Sequence, residues 1–294
     1  MISHIKILLL NHLPKILPHW LLAHYWILLS LGRWVIYGGH RIVSIKRINH
    51  TGGQIRKQQL ILVRMSDGEV YIQGMTRVSR FLGGKARAEQ RLLEIYLDAR
   101  QIRLLQNLSE VVIVDVGANI GEFSLGFLKL FPMATLIAVE PDPIAHECLV
   151  RNLSERNGNG KIFIYNLALS DSTGQADFFV STEEADSSLV QPIGETEIIK
   201  VRTCTLDTLL LESGIGEVAI LKMDAEGHEP EVLYGALKSI NQIVTLSIDV
   251  GAERRGSETA LQVSNLLNVL KLENYVSLEN GSRLILRGFN NYAK

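Results

Sequence analysis

The chain has 294 residues, of which 47% are hydrophobic, 21% are charged and two are cysteines. This composition excludes a disordered or collagen-like protein, a disulfide-stabilised scaffold and a four-cysteine zinc site. Residues 1–110 carry 16 Lys and Arg against 6 Asp and Glu, whereas residues 111–294 carry 14 against 25, so we expect the front third to meet an anionic partner and the rest to act on a small molecule.

Residues 1–50 are apolar and basic, and we predict a helical segment there. The 17 uncharged residues between Lys15 and Arg33 are marginal for a spanning helix, which needs about 20. Aromatic residues in this stretch are of the types that settle at lipid headgroups. Three interpretations stay open: the segment lies on a membrane surface, it packs against the domain or a second subunit, or it spans the membrane.

Residues 51–85 are predicted to form a β-hairpin and a connector. Alternating apolar residues over 60–74 flank the turn sequence Ser66-Asp67-Gly68. A helical pattern follows from Ala86 to Leu108. The basic residues nearby lack aromatic interleaving, so we interpret them as a solvated face and predict no nucleic-acid partner; they are Arg77, Arg80, Lys85, Arg87 and Arg91.

From residue 111 onward, short apolar runs alternate with amphipathic helices. This alternation predicts a parallel sheet covered on both faces. Between Gly174 and Val201 we expect a β-excursion outside that sheet, and Asn280-Gly281 predicts the turn of a closing hairpin. The predicted elements are strands over 111–116, 134–140, 161–167, 218–224 and 243–250, and helices over 120–131, 143–157 and from about residue 228.

The stretch VVIVDVGANIGEFSL, residues 111–125, predicts a cofactor loop between a strand and a helix. Its Asp-x-Gly-x-x-x-Gly spacing differs from the glycine patterns that bind diphosphates. Asp115 would repel a diphosphate but suits a ligand with an ammonium group, such as S-adenosylmethionine, whose carboxylate Asn119 and loop N–H groups could bind. The alternative is a purely structural turn. The candidate loop residues are Asp115, Gly117, Ala118, Asn119 and Gly121.

The ends of the next two strands carry further candidates for the cofactor. Glu140, followed by Pro141, comes after the second strand, where an acid can accept both hydrogen bonds of a ribose diol. Capping of the following helix is the alternative for Glu140, but Asp142 before Pro143 fits that role better. Asn166 and Ala168 follow the third strand and could line an adenine edge; an ordinary strand-end Asn is an equal alternative.

Five motifs in order now carry a resemblance: VDVGANIGEFSL, AVEPDP, NLALSDSTG, TLDTL and LKMDAEGHEPEVLYGA. Over residues 86–288 the chain resembles the FkbM family of S-adenosylmethionine-dependent methyltransferases. The resemblance implies an α/β class I methyltransferase (Rossmann-like) fold over 86–290, with a seven-stranded sheet that ends in an antiparallel hairpin. It also implies O-methylation of a sugar, glycolipid or secondary-metabolite hydroxyl, with the loop residues and Glu140 on the family's cofactor positions.

An acidic cluster follows the later strands, at the sheet edge where ligands bind in open α/β folds. We expect Asp224 or His228 to accept the proton of the attacked hydroxyl and Glu226 to orient the acceptor. Helix capping is the alternative for His228. Asp249 stands where family members often have Glu. The carboxylates of Asp224, Glu226 and Asp249 could hold Mg²⁺, but no spacing demands a metal, so we predict none.

Two alternatives to a methyltransferase remain open. An NAD-dependent oxidoreductase is disfavoured by Asp115 and the glycine spacing, and a catalytically inactive scaffold is disfavoured by the joint presence of loop, ribose acid and later carboxylate. Two cysteines and a cytosolic cofactor favour a cytoplasmic location, with residues 1–50 available for peripheral attachment at the inner membrane face. Self-association through the same residues is an equal expectation.

Overall fold

The computed structural model describes residues 19–37, 39–48, 60–154, 159–181, 187–191, 196–252, 254, 256–279 and 283–290. Residues 1–18 and the predicted turn at 280–281 lie outside this set. Helices α1–α8 span His19–Tyr37, Lys85–Tyr96, Ala99–Gln106, Glu122–Leu130, Pro143–Ser154, Leu206–Ser213, Glu229–Tyr234 and Ala260–Val269, and short 3₁₀ helices span Thr76–Phe81 and Ile240–Gln242. Strands β1–β13 span Ile42–Ile48, Leu60–Met65, Gly68–Gln73, Val112–Val116, Thr135–Val139, Ile162–Tyr165, Ala168–Leu169, Gly174–Ser181, Thr196–Cys204, Val218–Met223, Ile243–Asp249, Glu273–Glu279 and Arg283–Phe289.

The central sheet has seven strands in the order β12-β13-β11-β10-β4-β5-β6. The five neighbouring strands β11, β10, β4, β5 and β6 are parallel, and β13 runs antiparallel to both β11 and β12. This is the class I methyltransferase fold with its antiparallel terminal hairpin, so the predicted fold class is confirmed. Successive strand residues face opposite layers: Val114 and Leu221 enter one core, and Ile113 and Ile220 enter the other.

The predicted β-excursion is confirmed as a separate sheet in the order β7-β9-β8. The predicted third strand over 161–167 is shorter than expected, because the chain leaves the central sheet after Tyr165. Ala168 and Leu169 then pair in parallel with Thr203 and Cys204 of β9. The excursion is therefore anchored at the carboxyl end of β6.

The predicted helix over 86–108 is interrupted. Leu97 is extended, and Asp98 begins α3 with a capping box. The Asp98 carboxylate accepts from Gln101 N (2.7 Å), and the Gln101 side chain accepts from Asp98 N (3.2 Å). A side chain that satisfies the first free N–H groups starts a new helix here, and the continuous apolar period hid this break.

The N-terminal region differs from a purely helical segment. The predicted hairpin forms as β2 and β3, but Ile42–Ile48 adds a third strand that pairs antiparallel with β2. Its β-branched residues favour a strand. Helix α1 buries Leu22 and Trp26 against this sheet, in a third core that also includes Ile120 and Cys148 of the following domain.

Helix α1 turns opposite faces toward the protein and toward solvent. Leu22, Trp26 and Ser30 are buried, whereas Leu28 and Val35 are 66% and 70% exposed. Ser30 Oγ accepts from Ile42 N (2.7 Å), which joins the helix to β1. Among the described residues, no helix has the length and apolarity required to cross a membrane.

Candidate functional site

The loop after β4 is pressed against the chain that follows β10. Gly117 has φ +66°, and a Cβ there would lie 1.9 Å from the carbonyl oxygen of Asp224. Gly121 has φ +89° and precedes α4. Only glycine fits the first position, because any side chain would overlap fixed backbone. The predicted loop is therefore held by main-chain contact with the acidic edge.

Asp115 has a different partner from the ligand ammonium group that the sequence suggested. Its carboxylate is fully buried, forms an ion pair with Lys222 Nζ (2.9 Å) and accepts from Ser124 Oγ (2.5 Å). Lys222 Nζ also donates to the carbonyl oxygen of Gly117 (2.9 Å). Asp115 thus supports the loop from beneath. Lys222 was missed because a lysine within an apolar run gives no sign of its partner.

Glu140 lies at the centre of the candidate cofactor site. Its carboxylate accepts from Asn119 N (2.7 Å) and Asp142 N (2.8 Å). Burial, reinforced by the neighbouring Asp142, raises the pKa of Glu140 to about 8. Asp142 Oδ1 accepts from Ile144 N (2.9 Å) and Ala145 N (3.1 Å). The predicted capping role of Asp142 is confirmed, which leaves Glu140 facing the cavity.

Asn166 does not reach the cavity. Its side-chain amide donates to the carbonyl oxygens of Glu140 (2.9 Å) and Pro141 (3.1 Å). It therefore fixes the chain after β5, while Pro141 and Ala168 themselves line the cavity. The structure therefore places Asn166 beside Glu140, where it supports the main chain.

At the acidic edge, Asp224 belongs to a network with Tyr96, Asp249 and Arg283. Asp224 Oδ2 accepts from Tyr96 Oη (2.7 Å) and Arg283 Nη1 (3.1 Å), and the same Nη1 donates to Asp249 (2.9 Å). Burial opposes ionisation of Asp224, but Arg283 and Lys222 outweigh it and lower the pKa of this carboxyl. Burial, followed by repulsion from Asp224, raises the pKa of Asp249 to about 6.

This arrangement leaves little role for a metal. The Arg283 guanidinium stands between two of the three carboxylates that could have held Mg²⁺. In the ranges described above, no three His, Cys, Asp or Glu side chains are grouped as metal ligands. Arg283 itself was missed, because only the closing hairpin brings it to this edge.

The turn after Asp224 is held in shape by Glu229. Glu229 is fully buried, and its carboxylate accepts from Ala225 N (3.1 Å), Gly227 N (3.0 Å) and Thr259 Oγ1 (3.1 Å). Glu226, at the centre of the turn, has φ +51°, a conformation that non-glycine residues seldom adopt. Such strain persists only where surrounding bonds impose it.

His228 lies directly before α7, and its side chain lines the cavity. Its Nε2 is 3.0 Å from Ser170 Oγ, and its Nδ1 is 3.6 Å from a carboxylate oxygen of Glu231. Burial lowers the pKa of the imidazole below 6.5. The ring makes no capping hydrogen bond to the helix. A neutral imidazole with an accepting nitrogen is therefore available at pH 7.

One cavity, open to solvent, unites these parts. Asn119, Glu140, Asp224, Glu226 and His228 line it. It is also lined by residues that sequence reasoning missed, from the N-terminal sheet (Gln73) and from the excursion (Phe178, Ser187, Leu189). Arg77 lines it as well and is only 6% exposed, so the prediction that this arginine belongs to a solvated face is wrong. The predicted site residues outside its lining are Asp115, Ala118, Gly121, Asn166 and Asp249.

Comparisons with known proteins show the family to which the chain belongs. The family model described as "Methyltransferase FkbM domain" matches residues 115–276, more than half of the chain. The 2-O-methyltransferase NoeI of Sinorhizobium fredii is 29% identical over 159 residues, which cover 49% of this chain and 64% of NoeI. The hexuronic acid methyltransferase AglP of Haloferax volcanii is 29% identical over 181 residues, which cover 60% of this chain and 70% of AglP.

The matched segment thus spans less than two thirds of NoeI. Among solved structures, the plantazolicin methyltransferase BpumL in complex with SAH superposes with a TM-score of 0.43 at 12% identity, over 69% of this chain and 84% of that one.

Proposed function

Because this chain belongs to the FkbM methyltransferase family, we propose that it transfers a methyl group from S-adenosylmethionine to a hydroxyl of a sugar, glycolipid or secondary metabolite. The observation that carries this proposal is a single cavity lined by Asn119 of the cofactor loop, by Glu140 after β5, and by Asp224 and His228 of the acidic edge. The names of NoeI and AglP, a 2-O-methyltransferase and a hexuronic acid methyltransferase, support oxygen and carbohydrate acceptors.

The residues present fit S-adenosylmethionine, which when bound supplies an electrophilic methyl group on a sulfonium. Glu140 would accept from the ribose diol. Asp224 Oδ1 is buried and, among the described residues, has no hydrogen-bond partner. A buried carboxylate oxygen of this kind attracts a cationic group such as a sulfonium or ammonium.

His228 is the better proton acceptor of the two candidates. Asp224 accepts hydrogen bonds from Arg283 and Tyr96, and its lowered pKa makes it a weak base. His228 is neutral at pH 7, and its Nε2, which lies 3.0 Å from Ser170 Oγ, would accept the proton of the attacked hydroxyl. General-base assistance of this kind contributes about 10²–10⁴-fold to a rate.

Asp224 and Glu226 would then act on the position of the reactants. Asp224 keeps negative charge beside the transferred group, and Glu226 lines the cavity next to His228. Alignment of reactants can supply up to roughly 7–11 kcal/mol of barrier lowering. The turn that Glu229 holds rigid serves this alignment.

Calorimetric titration with S-adenosylhomocysteine tests the cofactor assignment. We expect micromolar binding, no binding of NAD⁺, and about 10–100-fold weaker binding by Glu140→Ala, because the ribose diol loses a buried hydrogen-bond acceptor. NAD⁺ binding in place of S-adenosylhomocysteine would indicate the oxidoreductase. A folded protein that binds neither ligand would contradict the proposal and leave a scaffold.

Turnover tests the catalytic assignment, with radiolabelled methyl donor and a panel of glycan and glycolipid hydroxyl acceptors. We expect His228→Gln to lower kcat by about 10²–10⁴-fold with unchanged S-adenosylhomocysteine binding. At saturating methyl donor, the wild-type rate should fall at a pH below 6.5, where the imidazole gains a proton. The inactive scaffold would be favoured if the protein binds the cofactor but methylates no acceptor, and if Asp224→Asn binds the cofactor as the wild type does.

We further propose that helix α1 rests on an anionic membrane surface at the cytoplasmic side. The exposed stripe Leu21, Leu28 and Val35 supports this, since large apolar side chains recur there on the face turned from the protein. Residues 1–66 contain no Asp or Glu, so charge complementarity selects anionic lipid.

Sedimentation with lipid vesicles tests this attachment. We expect binding to vesicles rich in phosphatidylserine, weaker binding to phosphatidylcholine, and loss of binding when Leu28 and Val35 are both replaced by Ser. Leu261→Ser, at a 74% exposed leucine of α8, is the matched control. Equal binding of vesicles by the double variant and the wild type would refute the assignment. If instead the wild type forms a dimer and the double variant does not, the partner of this face is a second copy of the chain.

A further inference from the structure

Arg77 reaches the cavity from outside the segment that the family model matches. It belongs to the 3₁₀ helix Thr76–Phe81, which follows the N-terminal sheet, whereas the match begins at residue 115. Its side chain is 6% exposed and lines the cavity. Its Nη1 donates to Asn119 Oδ1 (2.8 Å), so the cofactor loop orients the guanidinium.

Among the residues that the structure describes, no carboxylate pairs with the positive charge of Arg77. Within the described part of the chain, no carboxylate oxygen lies within 4 Å of its guanidinium, although burying an unpaired charge is costly. The nearby acids are engaged elsewhere: Asp142 caps α5 and accepts from Gln73 (2.9 Å), and Glu122 faces Arg80 (3.5 Å). Burial accordingly lowers the pKa of Arg77.

We infer that Arg77 binds the carboxylate of the methionine portion of the cofactor. This inference rests on the proposed function, because that carboxylate is the one anionic group of S-adenosylmethionine. A planar guanidinium whose orientation is fixed by Asn119 suits a carboxylate better than a flexible ammonium does. The N-terminal region thereby completes a cofactor site that the family domain forms only in part.

A pair of ligands that differ in the carboxylate alone tests this role. S-adenosylhomocysteine and its decarboxylated analogue are titrated calorimetrically into the full chain. We expect Arg77→Met to weaken S-adenosylhomocysteine about 10–100-fold, the effect of losing a charge-assisted hydrogen-bond pair, and to change the analogue less than threefold. Arg80→Met is the matched control, because Arg80 shares the 3₁₀ helix but does not line the cavity; it should change neither ligand by more than threefold.

The outcomes separate the two proposals. If the wild type binds neither ligand, the proposed function fails. If the wild type binds both and Arg77→Met keeps the same ratio of affinities, the carboxylate assignment is overturned. If Arg77→Met alters acceptor KM alone, the guanidinium serves an anionic acceptor instead, and the assignment is again overturned. Thermal melting checks that each variant folds. If Arg77→Met does not fold, the ratio of affinities for the two ligands is measured with Arg77→Lys, which keeps the charge but loses the planar pair of donors.

Discussion

At the scale of single residues, the buried ion pair between Lys222 and Asp115 sets the charge beneath the cofactor loop. Both side chains are almost wholly inaccessible, at 4% and 0%. Lys222 also lies 5.1 Å from the centre of the Tyr96 ring. Removing one member of such a pair is more damaging than removing both, because the remaining charge is left buried and uncompensated.

We therefore expect Lys222→Met to lower the free energy of unfolding by about 3–5 kcal/mol. The double variant Lys222→Met with Asp115→Asn should recover part of this loss. Urea denaturation followed by circular dichroism measures both. Lys200→Met is the control, since the Lys200–Asp177 pair is exposed and worth about 0–1 kcal/mol; an equal loss in both single variants would contradict the special role of the buried pair.

The raised pKa of Glu140 predicts a pH-dependent cofactor affinity. Ribose hydroxyls favour the ionised carboxylate, which in the free protein forms only as the pH approaches about 8. Affinity for S-adenosylhomocysteine should therefore rise with pH, by at most about tenfold per unit, and level off above pH 8. Glu140→Gln should remove this slope, and calorimetry between pH 5.5 and 9 measures it.

The same group acts on stability with the opposite trend. Its pKa is raised from 4.5 on folding, so the folded state binds a proton that the unfolded state has released. The contribution is fully present below pH 4.5 and is lost as the pH rises toward 8. A wild-type protein whose stability relative to Glu140→Gln does not fall across that window would contradict the assigned pKa.

These residues show what the sequence could disclose about the site. The sequence predicted that Glu140 and Asp224 lie at the cavity, because the ends of strands can be located from an α/β pattern. It predicted Gly117 there because the spacing of the loop glycines is distinctive. The partners Lys222, Arg283 and Arg77 were not predicted there, since each acts on a residue far along the chain and only the fold brings the two together. The position of Asp115 before the loop was predicted correctly, but its ion pair with Lys222 could not be predicted from the sequence.

At the scale of elements, Asn152 joins three parts of the molecule. It lies on α5 and is 2% exposed. Its side chain accepts from Tyr71 N (2.7 Å) and donates to the carbonyl oxygens of Tyr71 (2.8 Å) and Ile120 (2.8 Å). One amide thus ties β3 and the cofactor loop to the same helix.

We expect Asn152→Ala to lower the free energy of unfolding by about 2–4 kcal/mol, because it leaves backbone groups of two elements without a partner in the interior. Denaturant unfolding measures the change. Asn268→Ala, at an exposed helical position whose side chain accepts a hydrogen bond from Asn274, is the control and should cost less than about 0.5 kcal/mol. Equal effects would show that β3 is not fastened by this residue.

Prediction of helices and strands succeeded where the local sequence pattern determines the element. It failed where side-chain hydrogen bonds or pairing with a distant strand determine it. Alternating apolar residues identified the hairpin β2–β3 and the terminal hairpin. The break between α2 and α3 depends on the Asp98–Gln101 capping box, which an uninterrupted apolar period concealed. Strand β1 depends on pairing with β2. Because it directly follows a helix, the whole of residues 1–50 was predicted to be helical.

At the scale of the whole molecule, the N-terminal sheet and the methyltransferase domain share one core and one cavity. Ile120 and Cys148 pack among the side chains of β2 and α1, and Gln73 and Arg77 line the cavity with Glu140. We therefore expect the two parts to unfold together. A ligand of the cavity should stabilise both equally.

Hydrogen exchange of backbone amides measures this coupling. With S-adenosylhomocysteine at 100 times its dissociation constant, globally exchanging amides of β2 and of β4 should both slow by about 100-fold, as linkage requires for one cooperative unit. Protection gained by β4 while β2 is unchanged would show that the N-terminal sheet opens independently. Glu140→Ala, at the same ligand concentration, serves as the control with weakened binding.

The contact between Gly117 and the Asp224 carbonyl has a consequence for how this scaffold can diversify. Two main chains fix the distance between the part that would hold the methyl donor and the part that would receive the acceptor, so no exchange of side chains alters it. The excursion meets the same region through Ser188, whose hydroxyl donates to the carbonyl oxygen of Glu226 (2.8 Å). We therefore expect variation at 187–191 to change which acceptors are methylated while the distance set by the Gly117–Asp224 contact stays the same, which makes that segment the place to begin directed evolution.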